Sequence, residues 1–124
     1  MINVYMDDVR ACPYVGWTVA RTVQEVKEYL SRGIVLRLSL DHDMGACNDC
    51  IASGEHVGDM RTPETTCVLW CPHNEDGTKL VRWMIENDIW PVEKPQVHSA
   101  NPVGRARMQG MIDRYWPERT QRKV

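Results

Sequence analysis

The stretch VLRLSLDHD, residues 35–43, decides the fold. Leu36, Leu38 and Leu40 occupy every second position, which is the pattern of a strand with one buried face. The apolar run stops at Asp41, as it does where a strand enters a polar loop. The sequence therefore predicts a buried strand over 35–40 with an acidic carboxyl end.

Three weaker strands are predicted around this one. Residues 1–6 are apolar, partly β-branched and end at the acidic pair Asp7-Asp8, and residues 17–21 and 96–98 are shorter candidates. The last of these runs into a polar segment that starts at His98. Every predicted strand except 17–21 is thus followed by aspartate or histidine side chains, which can bind metal ions or transfer protons.

Helical patterns fill the intervals between the strands. Helices are expected after Thr22, which is a candidate N-cap, from about Thr78, and from Asn101, which is followed by a proline at the first helical position. The final helix is expected to turn these residues inward: Met108, Met111, Ile112 and Tyr115. Strands that alternate with helices predict a small, doubly wound, mostly parallel α/β sheet.

Length and composition limit the class of protein. The 124 residues are 43% hydrophobic, with a net charge of -2 and a pI near 6.1. We expect one domain over 1–117, with a cysteine-rich insertion at 44–77 and a polar tail at 118–124. The charge disfavours a basic module that binds double-stranded DNA, and the chain has no membrane span or signal peptide, so a cytoplasmic location is expected.

Carboxylates are concentrated at the predicted strand ends. The carboxyl ends of parallel strands meet at one edge of a sheet, which would bring together Asp7, Asp8, Asp41 and Asp43. Such carboxylates repel one another unless a cation, a proton or a basic side chain neutralises them. Carboxylate oxygens suit Mg²⁺ or Mn²⁺, so Asp7, Asp8 and Asp41 are candidate ligands of a divalent ion. Solvated turn residues are the alternative.

Two histidines fall at the same edge as the carboxylates. His42 and His98 could act as general base and general acid on one reacting group, although either could be a structural histidine. Ser99 could hold a phosphate oxygen or serve as a nucleophile. Asn101, Gly104 and Arg105 begin the last helix, where free N–H groups and a guanidinium predict phosphate binding. An ordinary helix cap explains Asn101 equally well.

Four segments resemble a known family: MDDVRACP at 6–13, LSLDHDMG at 38–45, the cysteine-rich region at 47–83, and HSANPVG at 98–104. The chain is similar to cyclic-phosphate-processing receiver-like domains. The resemblance implies a shortened response-regulator receiver, with Asp7 and Asp8 as its acidic pair and Asp41 at its phospho-acceptor position. A receiver also needs a lysine after a fifth strand, and the sequence offers no candidate beyond Asn101 in a strand-like context. Ordinary phosphorelay signalling is therefore disfavoured.

The resemblance ties His42 and His98 to cyclic-phosphate processing. We expect a metal-assisted phosphoesterase that acts on a cyclic or terminal phosphate of a nucleotide, a nucleotide derivative or an RNA end. Asp8 and Asp41, with Asp7 or Asp43, would hold Mg²⁺ or Mn²⁺, and the histidines would transfer protons. Ser99, Asn101 and Arg105 would bind the nonbridging oxygens. A noncatalytic module that binds a phosphorylated ligand or a protein partner is the alternative.

The cysteines predict a second metal site. Cys47 and Cys50 have the spacing of a zinc knuckle, and the resemblance favours Cys71 and His73 as the other pair of ligands. Cys67 is the substitute, and His56 is a more distant choice. Four protein ligands would make a structural Zn²⁺ site that braces the long insertion. Free cysteines are the alternative reading, and Cys12 is expected to be an ordinary thiol.

The tryptophans divide into two groups. Trp17 begins a predicted strand and Trp83 lies on an apolar helix face, so core packing is expected for both. Trp70 and Trp90 are placed in loops near the predicted pocket. Either could stack on a nucleobase, and the sequence does not decide between stacking and packing.

Overall fold

The computed structural model describes residues 1–8, 10–42, 44 and 76–117, together with the backbone of residues 56–57 and 66–67. The strands are β1 (Ile2–Met6), β2 (Thr18–Ala20), β3 (Val35–Leu40), β4 (His56–Val57), β5 (Thr66–Cys67) and β6 (Gln96–Val97). Four of them form a parallel sheet in the order β2-β1-β3-β6, while β4 and β5 pair antiparallel. The predicted strand over 35–40 is confirmed and lies inside the sheet.

Helices α1 (Val23–Ser31), α2 (Gly77–Asn87) and α3 (Pro102–Tyr115) begin where side chains cap them. Thr22 accepts a hydrogen bond from the backbone N–H of Glu25, and Asn101 accepts one from that of Gly104, as the cap residues predict. Asp76 caps α2 in the same way. None of the described helices is long and apolar enough to cross a membrane.

The hydrophobic core lies on one face of the parallel sheet. Val4 is in register with Leu38 and Met6 with Leu40, so these four side chains share a face. All three described helices pack into the same core, with these buried residues: Val23, Val26, Leu30, Leu80, Val81, Met84, Met108 and Ile112. The sheet is therefore parallel, as predicted, with its described helices in one layer.

The strand order β2-β1-β3-β6 agrees with the predicted doubly wound sheet, because the chain places strands on both sides of β1. A complete doubly wound sheet carries helices on both faces. In the described part of the chain, the connection from β1 to β2 is a loop, and each helix packs on the face of Val4 and Met6. The opposite face bears Tyr5 and Ser39, which are in register, and no described helix covers it.

The large aromatic residues depart from prediction at two positions. Tyr115 is 48% exposed instead of inward-facing, because Trp116 at the end of α3 takes the place against the core and meets Trp90 edge to face at 5.5 Å. Trp90 is thereby buried and is not open to a nucleobase. Trp17 is half-buried and lies outside the core, whereas Trp83 packs against the core as predicted.

Alanine substitutions at Gly77 and Gly110 test how tightly the first turn of α2 packs against the end of β3. A Cβ at Gly77 would collide with the Asp41 carbonyl oxygen and lie 2.5 Å from Met108 Cε, whereas one at Gly110 would meet no atom within 4 Å. We expect Gly77→Ala to lower the free energy of unfolding by about 1–3 kcal/mol through overpacking. Gly110→Ala should raise it by about 0.5–1 kcal/mol, because alanine loses less backbone entropy in a helix. Urea denaturation of both variants measures the contrast, and equal effects would contradict this packing.

Candidate active site

The carboxyl ends of three adjacent strands bring the polar residues together. Asp7 follows β1, Asp41 follows β3 and His98 follows β6. The backbone ladder continues past the strands, since Asp41 N–H donates to Met6 at 3.0 Å and His98 N–H donates to Leu40 at 2.9 Å. The predicted convergence of these strand ends is therefore confirmed.

His98 is held by contacts on both ring nitrogens and on its ring face. Its Nε2 lies 3.1 Å from Oδ2 of the fully buried Asp7, and its Nδ1 lies 2.7 Å from Ser39 Oγ. The Tyr5 ring stacks on the imidazole at 4.1 Å with an angle of 7°. Burial lowers the pKa of His98 more than the neighbouring Asp7 raises it, so the imidazole is neutral near pH 7.

A loop after β1 folds over Asp7. The Arg10 backbone N–H donates to Asp7 Oδ1 at 2.8 Å, and the Arg10 guanidinium donates to the His98 carbonyl at 3.4 Å. Arg21 donates to the carbonyls of Asp7 and Arg10, at 3.2 and 2.7 Å. The side chain of Arg10 is 46% exposed, so a guanidinium lies at the rim of the site within reach of solvent.

Asp41 is a buried carboxyl beside a second one. Burial, the largest cause, and the charge of Asp7 together raise the pKa of Asp41 to about 6, although a hydrogen bond from the His42 backbone N–H at 2.9 Å acts in the opposite direction. Asp8 also raises the pKa of Asp41 through its charge. The cluster therefore carries more negative charge than its buried surroundings favour.

Asp7, Asp41 and His98 form a group that fits a divalent cation. Each offers one ligand atom, and these atoms lie within 4.8 Å of one another. The 3.1 Å between His98 Nε2 and Asp7 Oδ2 is close to the roughly 3 Å between neighbouring ligands of an octahedral ion bound at about 2.1 Å. A neutral imidazole and carboxylates suit Mn²⁺. The structure thus brings the predicted ligands Asp7 and Asp41 together and adds His98, whereas Asp8 lies outside this group.

His42 lies between the first turns of α2 and α3. Its Nε2 is 3.9 Å from Asp76 Oδ2, and its carbonyl accepts a hydrogen bond from the Gly77 N–H. A Cβ on Gly104 would lie 2.5 Å from the His42 ring. Glycine at 104 is therefore needed for the close approach of this ring, while its N–H is occupied by the Asn101 cap.

The other residues predicted to bind phosphate surround the start of α3. Ser99 is 1% exposed, and its Oγ accepts a hydrogen bond from the Asn101 N–H at 3.1 Å. Arg105 is exposed on the first turn, and its N–H donates to the Asn101 carbonyl. The structure explains Asn101 as a helix cap. Phosphate binding by Ser99, Asn101, Gly104 and Arg105 stays a prediction.

Several predicted residues lie outside the described part of the chain. Asp43, Trp70 and four of the zinc candidates are among them: Cys47, Cys50, Cys71 and His73. For His56 and Cys67 only the backbone is described, and the two are partners in the β4–β5 pair. Cys12, which is described, is a free thiol that accepts a hydrogen bond from the Tyr14 N–H.

Sequence reasoning missed three residues that support the site: Tyr5, Ser39 and Arg10. Ser39 interrupts an otherwise apolar buried strand, and this was a usable signal, because a hydroxyl at a buried position needs a partner. Tyr5 shares its sheet face with Ser39. Arg10 gave no such signal, because a loop arginine is ordinarily solvated.

The parallel sheet and the acidic strand ends define a receiver-like α/β domain. The chain belongs to the family described as the cyclic-phosphate processing receiver domain, which matches residues 2–114. No curated protein and no solved structure shows significant similarity to it. The family membership suggested by the sequence motifs is thereby confirmed.

The raised pKa of Asp41 predicts a pH-dependent stability in metal-free protein. Because the folded carboxyl binds its proton more tightly than the unfolded one, whose pKa is 3.8, this group stabilises the fold at low pH. That contribution is lost as pH rises to about 6. We expect Asp41→Asn to raise the urea midpoint near pH 7, and to change it little near pH 4, with EDTA present.

Asp113→Asn is the matched control. Hydrogen bonds from Lys94 and Gln109 lower the pKa of Asp113, so removing its charge should reduce stability near pH 7. A lower midpoint for Asp41→Asn than for the wild type near pH 7 would contradict the assignment of a destabilising buried charge.

Proposed function

We propose that the domain hydrolyses cyclic phosphate esters of nucleotides with the help of one divalent cation. The observation that carries the proposal is the group of Asp7, Asp41 and His98, whose ligand atoms lie within 4.8 Å at the strand ends. Membership of a cyclic-phosphate processing family supports the substrate class. The specific activity and the divalent ion are parts of this proposal.

The ion would be held by Asp7, Asp41 and His98. When bound, it supplies a Lewis acid that polarises the phosphate and offsets the negative charge of the two carboxylates. Without the ion, Nε2 of His98 donates to Asp7; when the ion is bound, Ser39 Oγ, 2.7 Å from Nδ1, would accept the proton on Nδ1 so that Nε2 offers its lone pair to the ion. The low pKa of His98 keeps the imidazole in the neutral form that ligation requires.

The remaining groups bind the phosphate and move a proton. Arg10 is placed to hold a nonbridging oxygen, because its exposed guanidinium lies beside Asp7 and His98. Water adds to phosphorus and releases a proton to solvent, the bond from phosphorus to one ribose oxygen breaks, and His42 gives a proton to that oxygen and regains one from solvent. We assign this step to His42 because this proposal uses His98 as a ligand of the cation.

The contacts of His98 with Asp7 and Ser39 also favour one alternative function, which is binding of a phosphorylated ligand without hydrolysis. If the Asp7-His98-Ser39 chain stays intact when a ligand binds, the site would recognise a phosphorylated ligand without turning it over. Turnover therefore discriminates between the two functions.

For the cysteine-rich segment we retain the structural zinc proposal, with Cys47, Cys50, Cys71 and His73 as ligands and Cys67 as the substitute. The antiparallel pairing of β4 and β5 supports it, because this pairing folds the segment back on itself. Bound zinc would remove part of the conformational freedom of a long insertion.

Turnover of adenosine 2′,3′-cyclic phosphate in the presence of Mn²⁺ tests the proposal. We expect hydrolysis that EDTA abolishes, and a fall in kcat/KM of about 100-fold or more in Asp41→Asn, since ligand loss removes the charge stabilisation of the transition state. His42→Ala should lower kcat by about 100-fold with less effect on KM. Phosphate release followed by chromatography of the nucleotide product measures both.

Asp88→Asn is the control, because Asp88 is exposed at the opposite end of α2 and has the left-handed backbone that asparagine tolerates. Full activity after metal removal would contradict the role of the cation. Tight binding without turnover of this ester, of cyclic dinucleotides or of ADP-ribose cyclic phosphate would favour the noncatalytic alternative.

Ser39→Ala tests whether the hydroxyl orients His98. We expect Mn²⁺ affinity, measured by isothermal titration calorimetry, to fall about 10- to 100-fold, as is usual when the partner of a ligating histidine is removed. Ser31→Ala, at an exposed position on α1, should leave the affinity unchanged. An unchanged affinity in Ser39→Ala would show that the 2.7 Å contact does not orient the ligand.

A further inference from the structure

The loop after β1 is tied to the residue that follows β2. The two strands are parallel, with Met6 in register with Ala20. The Asp7 N–H extends this pairing, since it donates to the Ala20 carbonyl at 3.1 Å. Arg21 is the first residue after β2 and directly precedes Thr22, the N-cap of α1. The backbone of Arg21 is therefore held by a strand on one side and by a capped helix on the other.

One nitrogen of the Arg21 guanidinium closes the loop. Its Nη1 donates to the Asp7 carbonyl at 3.2 Å and to the Arg10 carbonyl at 2.7 Å. This nitrogen carries two protons, one for each carbonyl. Hydrogen bonds from a charged donor are shorter and stronger than neutral ones. A single cationic group on a rigid part of the backbone thus joins the two ends of the turn from Asp7 to Arg10.

The turn that Arg21 closes has a contact of its own with the Asp7 side chain. The Arg10 backbone N–H donates to Asp7 Oδ1 at 2.8 Å. This hydrogen bond occupies Oδ1, while Oδ2 lies 3.1 Å from His98 Nε2. The closed turn therefore determines which carboxylate oxygen of Asp7 faces the candidate active site.

The same turn sets the position of the Arg10 guanidinium. Its Nη1 donates to the His98 carbonyl at 3.4 Å, and its Nε lies 4.0 Å from Asp7 Oδ2. Both contacts are long, and 46% of the side chain is exposed, so they hold the guanidinium weakly. The Arg10 backbone is fixed by the shorter contacts, at 2.7 and 2.8 Å. The place of this guanidinium at the rim therefore depends on the closed turn.

Arg21 acts on the site through this turn. Both hydrogen bonds of its side chain go to main-chain carbonyls, those of Asp7 and Arg10. The group that these bonds bring to the rim is the exposed guanidinium of Arg10. A guanidinium is suited to bind phosphate oxygens, because its N–H groups form a planar fork.

We infer that Arg21 is a positioning residue for phosphate binding: it holds the turn closed so that the Arg10 guanidinium can bind a nonbridging oxygen. The inference rests on the proposed function, in which Arg10 binds the phosphate of the substrate. The Arg21 guanidinium itself does not touch the ligand. Arg21 thereby determines ligand affinity from a position outside the group of Asp7, Asp41 and His98.

Dimethyl phosphate tests the inference, because it is a phosphodiester anion without a base or a ribose. Its dissociation constant is measured by nuclear magnetic resonance titration, with Mg²⁺ in excess. Arg10→Ala should weaken binding about 10-fold or more, the effect of losing a hydrogen bond to a charged group. Arg21→Ala should also weaken binding, by no more than Arg10→Ala does.

The double variant separates positioning from direct contact. If Arg21 acts only through Arg10, the protein with both Arg10→Ala and Arg21→Ala should bind dimethyl phosphate no more weakly than Arg10→Ala alone. Losses that add would show that Arg21 contacts the ligand itself and would overturn the inference. An unchanged affinity in either single variant would overturn it as well.

Two further variants separate the loss of this contact from a loss of fold. Arg21→Lys keeps a cationic donor that can serve both carbonyls, so it should restore most of the affinity. Arg32→Ala is the matched control, since Arg32 is an exposed arginine at the other end of α1. It should leave the affinity unchanged.

Hydrogen exchange of the Arg10 amide tests the positioning role in metal-free protein, apart from any activity. With EDTA present, this amide should exchange faster in Arg21→Ala than in the wild type, because an opened turn frees it from Asp7 Oδ1. Faster exchange and coupled losses of affinity, without turnover of any ester, would support the inference and reject the phosphoesterase. Turnover with unchanged exchange in Arg21→Ala would support the phosphoesterase and overturn the inference.

Discussion

Two buried carboxylates that meet at the ends of adjacent parallel strands are the constraint on which the site depends. Asp7 is fully buried, and Asp41 is 6% exposed beside it. Burial and mutual repulsion both disfavour two negative charges there, and the raised pKa of Asp41 is the consequence. The surrounding residues compensate in part, since Asp7 receives hydrogen bonds from the Arg10 backbone and the His98 ring. A bound cation would complete that compensation.

The one-sided packing of the sheet gives this cluster its surroundings. With all described helices on the face of Val4 and Met6, the other face is available to His98, Tyr5 and Ser39. A helix layer on that face would bury these groups under apolar side chains. Instead, the loop that carries Tyr14 covers part of that face, with Tyr14 against the Tyr5 ring.

Much of this arrangement was predictable from local sequence patterns. The strand over 35–40, the caps Thr22 and Asn101, and the meeting of Asp7 with Asp41 follow from periodicity and from the geometry of parallel sheets. The face chosen by each helix was not predictable, because an apolar helix stripe does not say which side of a sheet it covers. For the same reason, the expectation that Trp17 packs in the core is wrong and the choice left open for Trp90 is settled as core packing, because only tertiary packing decides which tryptophan enters the core.

The most direct test of the account is a crystal structure of the protein soaked with Mn²⁺, with anomalous scattering used to locate the ion. The account predicts one peak among the carboxylates of Asp7 and Asp41 and Nε2 of His98, at about 2.0–2.4 Å from each ligand atom, and no peak there in Asp41→Asn. Full Mn²⁺ occupancy elsewhere on the protein, with no density between these three side chains, would contradict it.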